Sequence, residues 1–268
     1  MKRLTNYFGT LPKFPKGLKM AVSLAKLRDA NSRRWTAATL TRASEFVPVA
    51  RRLVAAKARY EAVSARTGVP WPFIAVTHQR ESSQSWSRSL AQGDPWDQVS
   101  THVPKGRGPF KSWEDAAYDA LVNCPPYAAR NKDWSIAGTL TKLEEYNGLG
   151  YAMRGIPSPY LWSGTDQYKS GKYVRDGVFD ANTVDKQLGC AGLLMAMVQL
   201  DPSIKFGTAP PTVAQNTATG AIVAGAVVGA QQAHASGFSL GIAILIAAIG
   251  IGVAGIVWLL WQTYRNRA

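Results

Sequence analysis

Glu81 is the residue in this chain best placed to do chemistry. It closes the run WPFIAVTHQRES, which carries Trp71, Phe73, Ile74 and Val76. Apolar neighbours raise a carboxyl's pKa because the charged form loses its hydration. The negative end of a helix dipole acts in the same direction. A carboxyl kept protonated near neutral pH is a general acid. Further along, Gly93-Asp94-Pro95 opens a polar turn that also carries Asp97 and Thr101. An acid on one side of a bond, with a carboxylate and a hydroxyl to hold water or steady a cation on the other, is what glycoside hydrolysis needs. Asp94 and Asp97 are both candidates for the second carboxylate. The plainer reading of Glu81 is a helix-end carboxylate paired with Arg80 or Arg88.

Helices must position these groups. Ser44 can cap the first strong one, with Glu45 in its first turn and Val47, Leu53, Val54, Ala58 and Val63 at roughly helical spacing. Gly68 and Pro70 stop it. Pro72 suits the first turn of the next helix, which runs to about Ser85 and carries Glu81. Residues 91–108 read as a loop or a short twisted hairpin. Ser112, with Asp115 three residues on, caps a helix over Trp113–Asn123 that Cys124-Pro125-Pro126 ends. Asp133 or Ser135 starts another, with Ile136, Leu140 and Leu143 on its apolar face. Tyr146-Asn147-Gly148 and Tyr151 follow. Tyr160, Trp162, Tyr168 and Tyr173 then alternate with Ser, Thr, Asn and Asp. Such aromatics either stack on sugar rings or staple a surface loop. Asp180 to Leu200 reads as a closing helix, with Val184, Leu188, Ala191, Leu194, Met195 and Val198 on one face.

The net charge of +14 is unevenly spread: residues 1–60 hold fourteen Lys/Arg against Asp29 and Glu45. The bland reading is a solvated basic arm; the alternative is attraction to an anionic polymer or lipid surface. No zinc-finger spacing or RNA-binding signature supports nucleic acid as a partner. Leu18 to Leu27 can form a short amphipathic helix lying on the domain or on a membrane. Pro12, Pro15 and Lys13, Lys16 and Lys19 break what a secretory signal would keep apolar. Cys124 and Cys190 read as buried thiols, or as a disulfide in an oxidising compartment. His78, His102 and His234 lack metal-ligand spacing, so no metal and no cofactor is expected.

The C-terminal part changes character. No Asp, Glu, Lys or Arg stands between Lys205 and Arg265. The segment 239–261 is apolar throughout and long enough to cross a bilayer, with Trp258 and Trp261 at its end. Gly241, Gly250, Gly252 and Gly255 give it small-residue faces suited to self-association. The division expected is a basic arm over 1–43, a folded domain over 44–203, a Pro/Thr/Gly/Ala-rich linker over 204–238, a membrane helix over 239–261 and a short basic tail over 262–268.

GVPWPFIAVTHQRES, GDP, THVPKGRGPF, YNGLGY, RGIPSPYLWSGT and YKSGKYVRDG together resemble the lysozyme-like superfamily of endolysins, goose-type lysozymes and lytic transglycosylases. The resemblance covers about 160 residues. It implies a mainly α domain, α+β with at most a small β-hairpin, that cleaves the glycan strands of peptidoglycan. Glu81 then corresponds to the acid of the helix-ending Glu-Ser pair. Tyr146 and Asn147 correspond to the Tyr-Asn pair lining the cleft, with Tyr151, Tyr160 and Trp162 as further substrate-binding residues. Asp94 and Thr101 follow Glu81 in the order of the phage-lysozyme residues that hold water. Hydrolysis and transglycosylation both remain open, as does a non-catalytic glycan-binding or scaffold role. With the 239–261 span, the implied setting is an inner bacterial membrane, the domain facing the periplasm and wall. Replacing Phe73 or Ile74 with Ala is expected to lower the unfolding free energy by about 2–5 kcal/mol, read by urea titration; a near-zero change would take their helix out of the core.

Overall fold

The computed structural model describes residues 22–208 except Gln92, Val103 and Asp176. The first 21 residues, all but the start of the linker, the 239–261 span and the basic tail lie outside the described residues. Among the described residues no helix is long and apolar enough to cross a membrane. The chain is mainly helical, with one small two-stranded antiparallel sheet.

Helices α1 (Leu24–Ala37), α2 (Ala43–Ala55) and α3 (Lys57–Thr67) lead into α4 (Trp71–Ser82). Helix α4 buries Pro72 through His78, together with Arg80 and Ser82. A helix apolar nearly all round belongs at the centre of a fold. It packs against α3, against α6 (Ile136–Asn147) and against α9 (Cys190–Leu200). Between α4 and α6 lie an irregular segment and α5 (Trp113–Val122), and after α6 come the one-turn helices α7 (Gly150–Met153) and α8 (Pro159–Trp162). Strands β1 (Lys172–Arg175) and β2 (Val178–Asp180) then pair antiparallel, Tyr173 opposite Phe179.

Local chemistry explains the boundaries. Ser112 Oγ accepts from Asp115 N at 3.1 Å and Ser135 Oγ from Gly138 N at 3.1 Å, each satisfying an open N-terminal donor. Gly68 ends α3 with φ +71°, a left-handed backbone that glycine adopts without a Cβ clash. Phe73 and Ile74 are buried in the core.

The structure departs from the sequence reading in four places. The long helix expected from Ser44 divides at Ala56, and Arg42, not Ser44, precedes it. Ser44 makes no cap; Arg42 Nε instead donates to Glu45 Oε1 at 2.6 Å. The sheet lies at 172–180 rather than within 91–108, where only one isolated bridge, Arg88 to Pro95, forms. The closing helix starts at Cys190 rather than Asp180, because Asp185 is drawn inside by cations and Val184 turns to solvent. Helix α1 docks on α6, with Arg28 Nε 3.0 Å from Asp133, so it belongs to the folded unit rather than to a separate arm. Cys124 and Cys190 are buried free thiols.

Two buried groups titrate in opposite senses. Burial lowers His78 to about 4 from 6.5, so the fold favours the neutral ring. Between those values the unfolded chain binds more protons, and stability falls as pH falls through that window. Burial raises Glu144 to about 7 from 4.5 despite a hydrogen bond from Asn31 and the nearby Arg34 charge. There the folded chain binds more protons, and stability falls as pH rises from 4.5 towards 7. The two slopes oppose each other over the shared window. Glu144→Gln, which keeps an acceptor for Asn31 Nδ2, is expected to unmask the His78 slope. Its urea midpoint should drop steadily below pH 6.5, with up to about 3 kcal/mol lost, while the parent protein stays flatter.

Candidate functional site

Glu81 is the last but one residue of α4, and its side chain is half-buried. Three groups of residues gather at this helix end.

The first supports the carboxyl from inside. Tyr160 Oη donates to Glu81 Oε1 at 2.8 Å. Tyr160 is 2% exposed, and burial and the Glu81 charge hold its phenol well above the usual range. Tyr146 is buried too, raised by burial and again by Glu81, and its hydroxyl donates to Leu90 O at 3.4 Å. Arg80 stands behind Tyr160, its guanidinium carbon 5.1 Å from the ring centroid. Arg80 pairs with Asp185, which also takes Lys172 Nζ at 2.7 Å. Burial would raise the Asp185 carboxyl, but Arg80 and Lys172 outweigh it and hold it below the ordinary range.

The second pins the turn after the helix. His78 Nε2 lies 3.0 Å from Ser85 O, so it carries the proton and donates. Nδ1 then accepts from Tyr60 Oη at 3.0 Å, and Gln84 Nε2 donates to the same hydroxyl at 3.3 Å. Trp86 and Trp113 pack on the His78 ring, each with centroids 4.6 Å away, and Arg59 caps Trp86 at 3.8 Å.

The third is the polar loop. Gly93, at φ +66°, lies against the Glu81 carbonyl, where an added Cβ would stand 3.6 Å away. Asp94 follows. Its Oδ2 accepts from Thr101 N at 2.9 Å and His102 N at 3.0 Å, and its Oδ1 meets His102 Nδ1 at 2.5 Å. Burial pushes Asp94 upward, yet the His102 and Thr101 donors prevail and its pKa is lowered. Arg107 anchors the loop on α5, with Nε 2.9 Å from Asp119 Oδ2.

The structure therefore brings Glu81, Tyr146 and Tyr160 together and folds the Asp94–Thr101 turn against the same helix end. It also separates the two aspartates, because Asp94 is buried and Asp97 is exposed. Arg80 is bound to Asp185, and Arg88 Nη1 donates to Gly93 O at 2.8 Å. Asn147 is half-buried, next to Tyr146 at the end of α6. The stacking assignments need correction. Trp162 is 0% exposed, Tyr160 2% and Tyr151 7%, so these rings offer no face to a sugar. Tyr151 Oη instead accepts from Tyr173 N at 3.0 Å. Tyr160, rather than Tyr146, makes the direct bond to Glu81.

Sequence reasoning missed the Asp185–Arg80–Lys172 cluster and His102. Asp185 carried no pattern, being far from Arg80 in sequence. His102 had one signal, its place beside Thr101 in the turn that Asp94 opens, but histidine had been weighed only as a metal ligand. Set against protein-family models, curated proteins and solved structures, the chain has no match.

Removing the carboxylate at 185 strands the buried Arg80 and takes the partner from the half-buried Lys172. Asp185→Asn is expected to cost about 3–5 kcal/mol in a urea unfolding curve; a loss below about 1 kcal/mol would mean Arg80 reaches water.

Proposed function

We propose that the folded unit is a lysozyme-like glycoside hydrolase acting on the glycan strands of peptidoglycan, with Glu81 as its general acid. The observation that carries this reading is the Tyr160–Glu81 hydrogen bond at the half-open end of a buried helix. A carboxyl so placed is fixed in direction by the Tyr160 hydroxyl while the residue stays half-buried rather than sealed in the core. The resemblance of RESSQSW, GDP, THVPKGRGPF and YNGLGY to the lysozyme-like superfamily supports the substrate class.

Tyr160 donates to Glu81 Oε1 and so steadies the carboxyl that acts as acid. Glu81 gives its proton to the glycosidic oxygen as the bond breaks, and an oxocarbenium-like sugar develops. Water arriving from the Asp94–Thr101 loop completes hydrolysis. Asn147, half-buried next to Tyr146 at the end of α6, contacts the sugar. Tyr146 and Tyr160 hold the acid and do not stack on substrate. The apolar segment 239–261 tethers the enzyme to an inner bacterial membrane, its glycines offering faces for self-association, with the domain on the wall side.

The test is digestion of purified peptidoglycan by the full-length chain in detergent, wild type beside Glu81→Gln, with products read by mass spectrometry. Reducing-end fragments are expected from the wild type, with at least a 10³-fold loss in the variant. Anhydro-sugar ends would make the enzyme a lytic transglycosylase with the same acid. No products from folded wild type would sink the catalytic reading and leave a glycan-binding protein.

A further inference from the structure

Asp94 is poorly placed to take a proton from water. Both of its oxygens are engaged, Oδ2 by two backbone N–H groups and Oδ1 by the His102 ring. Three donors on one carboxylate stabilise its charged form and weaken it as a base. The neighbouring His102 is differently placed. Its side chain is 51% exposed, and Nε2 has no hydrogen-bond partner among the described residues. A charged carboxylate only accepts, so the ring nitrogen facing Asp94, Nδ1, must carry the proton. In the neutral ring the lone pair then lies on Nε2, on the open side. Asp94 thus selects the tautomer and fixes the ring plane, as a carboxylate does behind a catalytic imidazole. The loop is set from two directions, by Gly93 against the Glu81 carbonyl and by Arg107 on Asp119. The first contact sets the residue before Asp94 against the end of α4 that carries Glu81, and the second ties the far side of the loop to α5.

We propose that His102 Nε2 is the base that activates the attacking water at this site, and that Asp94 is its positioning residue. The inference rests on the hydrolase reading of Glu81. In the step, one water O–H bond breaks and its proton goes to Nε2. The water oxygen bonds to the anomeric carbon. The glycosidic C–O bond breaks with its electron pair on the leaving oxygen, which takes the Glu81 proton. Solvent then returns a proton to Glu81 and removes one from His102, so the net reaction consumes one water. Thr101 has only its backbone N–H tied to Asp94, and its hydroxyl, 3.5 Å from His102 Nδ1, stands at the same edge.

The experiment measures peptidoglycan hydrolysis by the full-length chain as wild type, Glu81→Gln, His102→Asn, His102→Ala, Asp94→Asn and the Asp94→Asn/His102→Asn double variant. An Asn at 102 keeps an N–H for Asp94 but has no Nε2 lone pair, so it folds while lacking the base. The expected result is a 10²- to 10⁴-fold loss for His102→Asn with an unchanged melting temperature. Added imidazole should restore part of the His102→Ala activity, which a structural histidine would not allow. The double variant should be no slower than His102→Asn alone. Active wild type beside a fully active His102→Asn overturns this inference and leaves Glu81 untouched, as does release of anhydro ends only, which needs no activated water. Wild type that releases nothing overturns the hydrolase reading and this inference with it.

Discussion

Arg80 and Lys172 converge on the Asp185 carboxylate inside the protein, where Gln187 N adds a third donor at 3.2 Å. A lone charge at the depth of Arg80 and Asp185 would cost several kcal/mol, so neither of these two is tolerable without a partner. The cluster joins the last turn of α4 to the segment before α9, parts of the chain far apart in sequence. Its effect reaches the candidate acid by two short steps. Arg80 lies against the Tyr160 ring, and Tyr160 donates to Glu81, the residue that follows Arg80. The Glu81 carboxyl is thus linked through Tyr160 to an ion cluster on the inner side of the helix.

The other side of Glu81 is held by aromatic packing. Ser83 and Gln84 both adopt left-handed backbone, at φ +55° and +58°. For residues with a Cβ this costs on the order of 1 kcal/mol each, and two in succession need compensation. It comes from Gln84 bonding to Arg52 O and Tyr60 Oη, and from His78 bonding to Ser85 O. Tyr60, Trp86 and Trp113 enclose that imidazole and keep water from competing for it. The sharp turn sends the chain back so that Gly93 and Asp94 meet the helix they have just left. A glycine at 93 suits its positive φ, while the Glu81 carbonyl lies at ordinary contact distance from where a Cβ would stand.

Features encoded within a few residues were legible in the sequence. The Ser112 and Ser135 caps, the Gly68 stop and the burial of Phe73 and Ile74 all follow from local patterns, and all are found. Features set by partners far along the chain were not legible. Residues 180–189 have helical apolar spacing, but Asp185 gains more from buried Arg80 and half-buried Lys172 than a helical turn there would give. Aromatics among polar residues read as an open sugar platform, yet Trp162 and Tyr160 face inward. Composition alone cannot say which side of a loop faces the core. At the candidate site, Glu81, Asp94 and Thr101 stand out by type and order, whereas Tyr160's bond to Glu81 and the burial of Asp94 beside an exposed Asp97 are visible only in three dimensions.

The result is a division between residues that hold and residues that act. Tyr146, Tyr160, Asp94 and Asp185 are buried, and their polar atoms are spent on neighbours. Glu81, Asn147, Thr101 and His102 are half-buried or exposed, and each is next to one of the holding residues or bonded to it. Desolvated groups change geometry at high cost, so they fix direction well. Groups at the water boundary exchange protons and ligands readily. A site that must place an acid and a water on two faces of one sugar needs both properties at once. Here they are supplied by different residues, so under the proposed mechanism the acid and the base can each be tuned without loosening what orients the other.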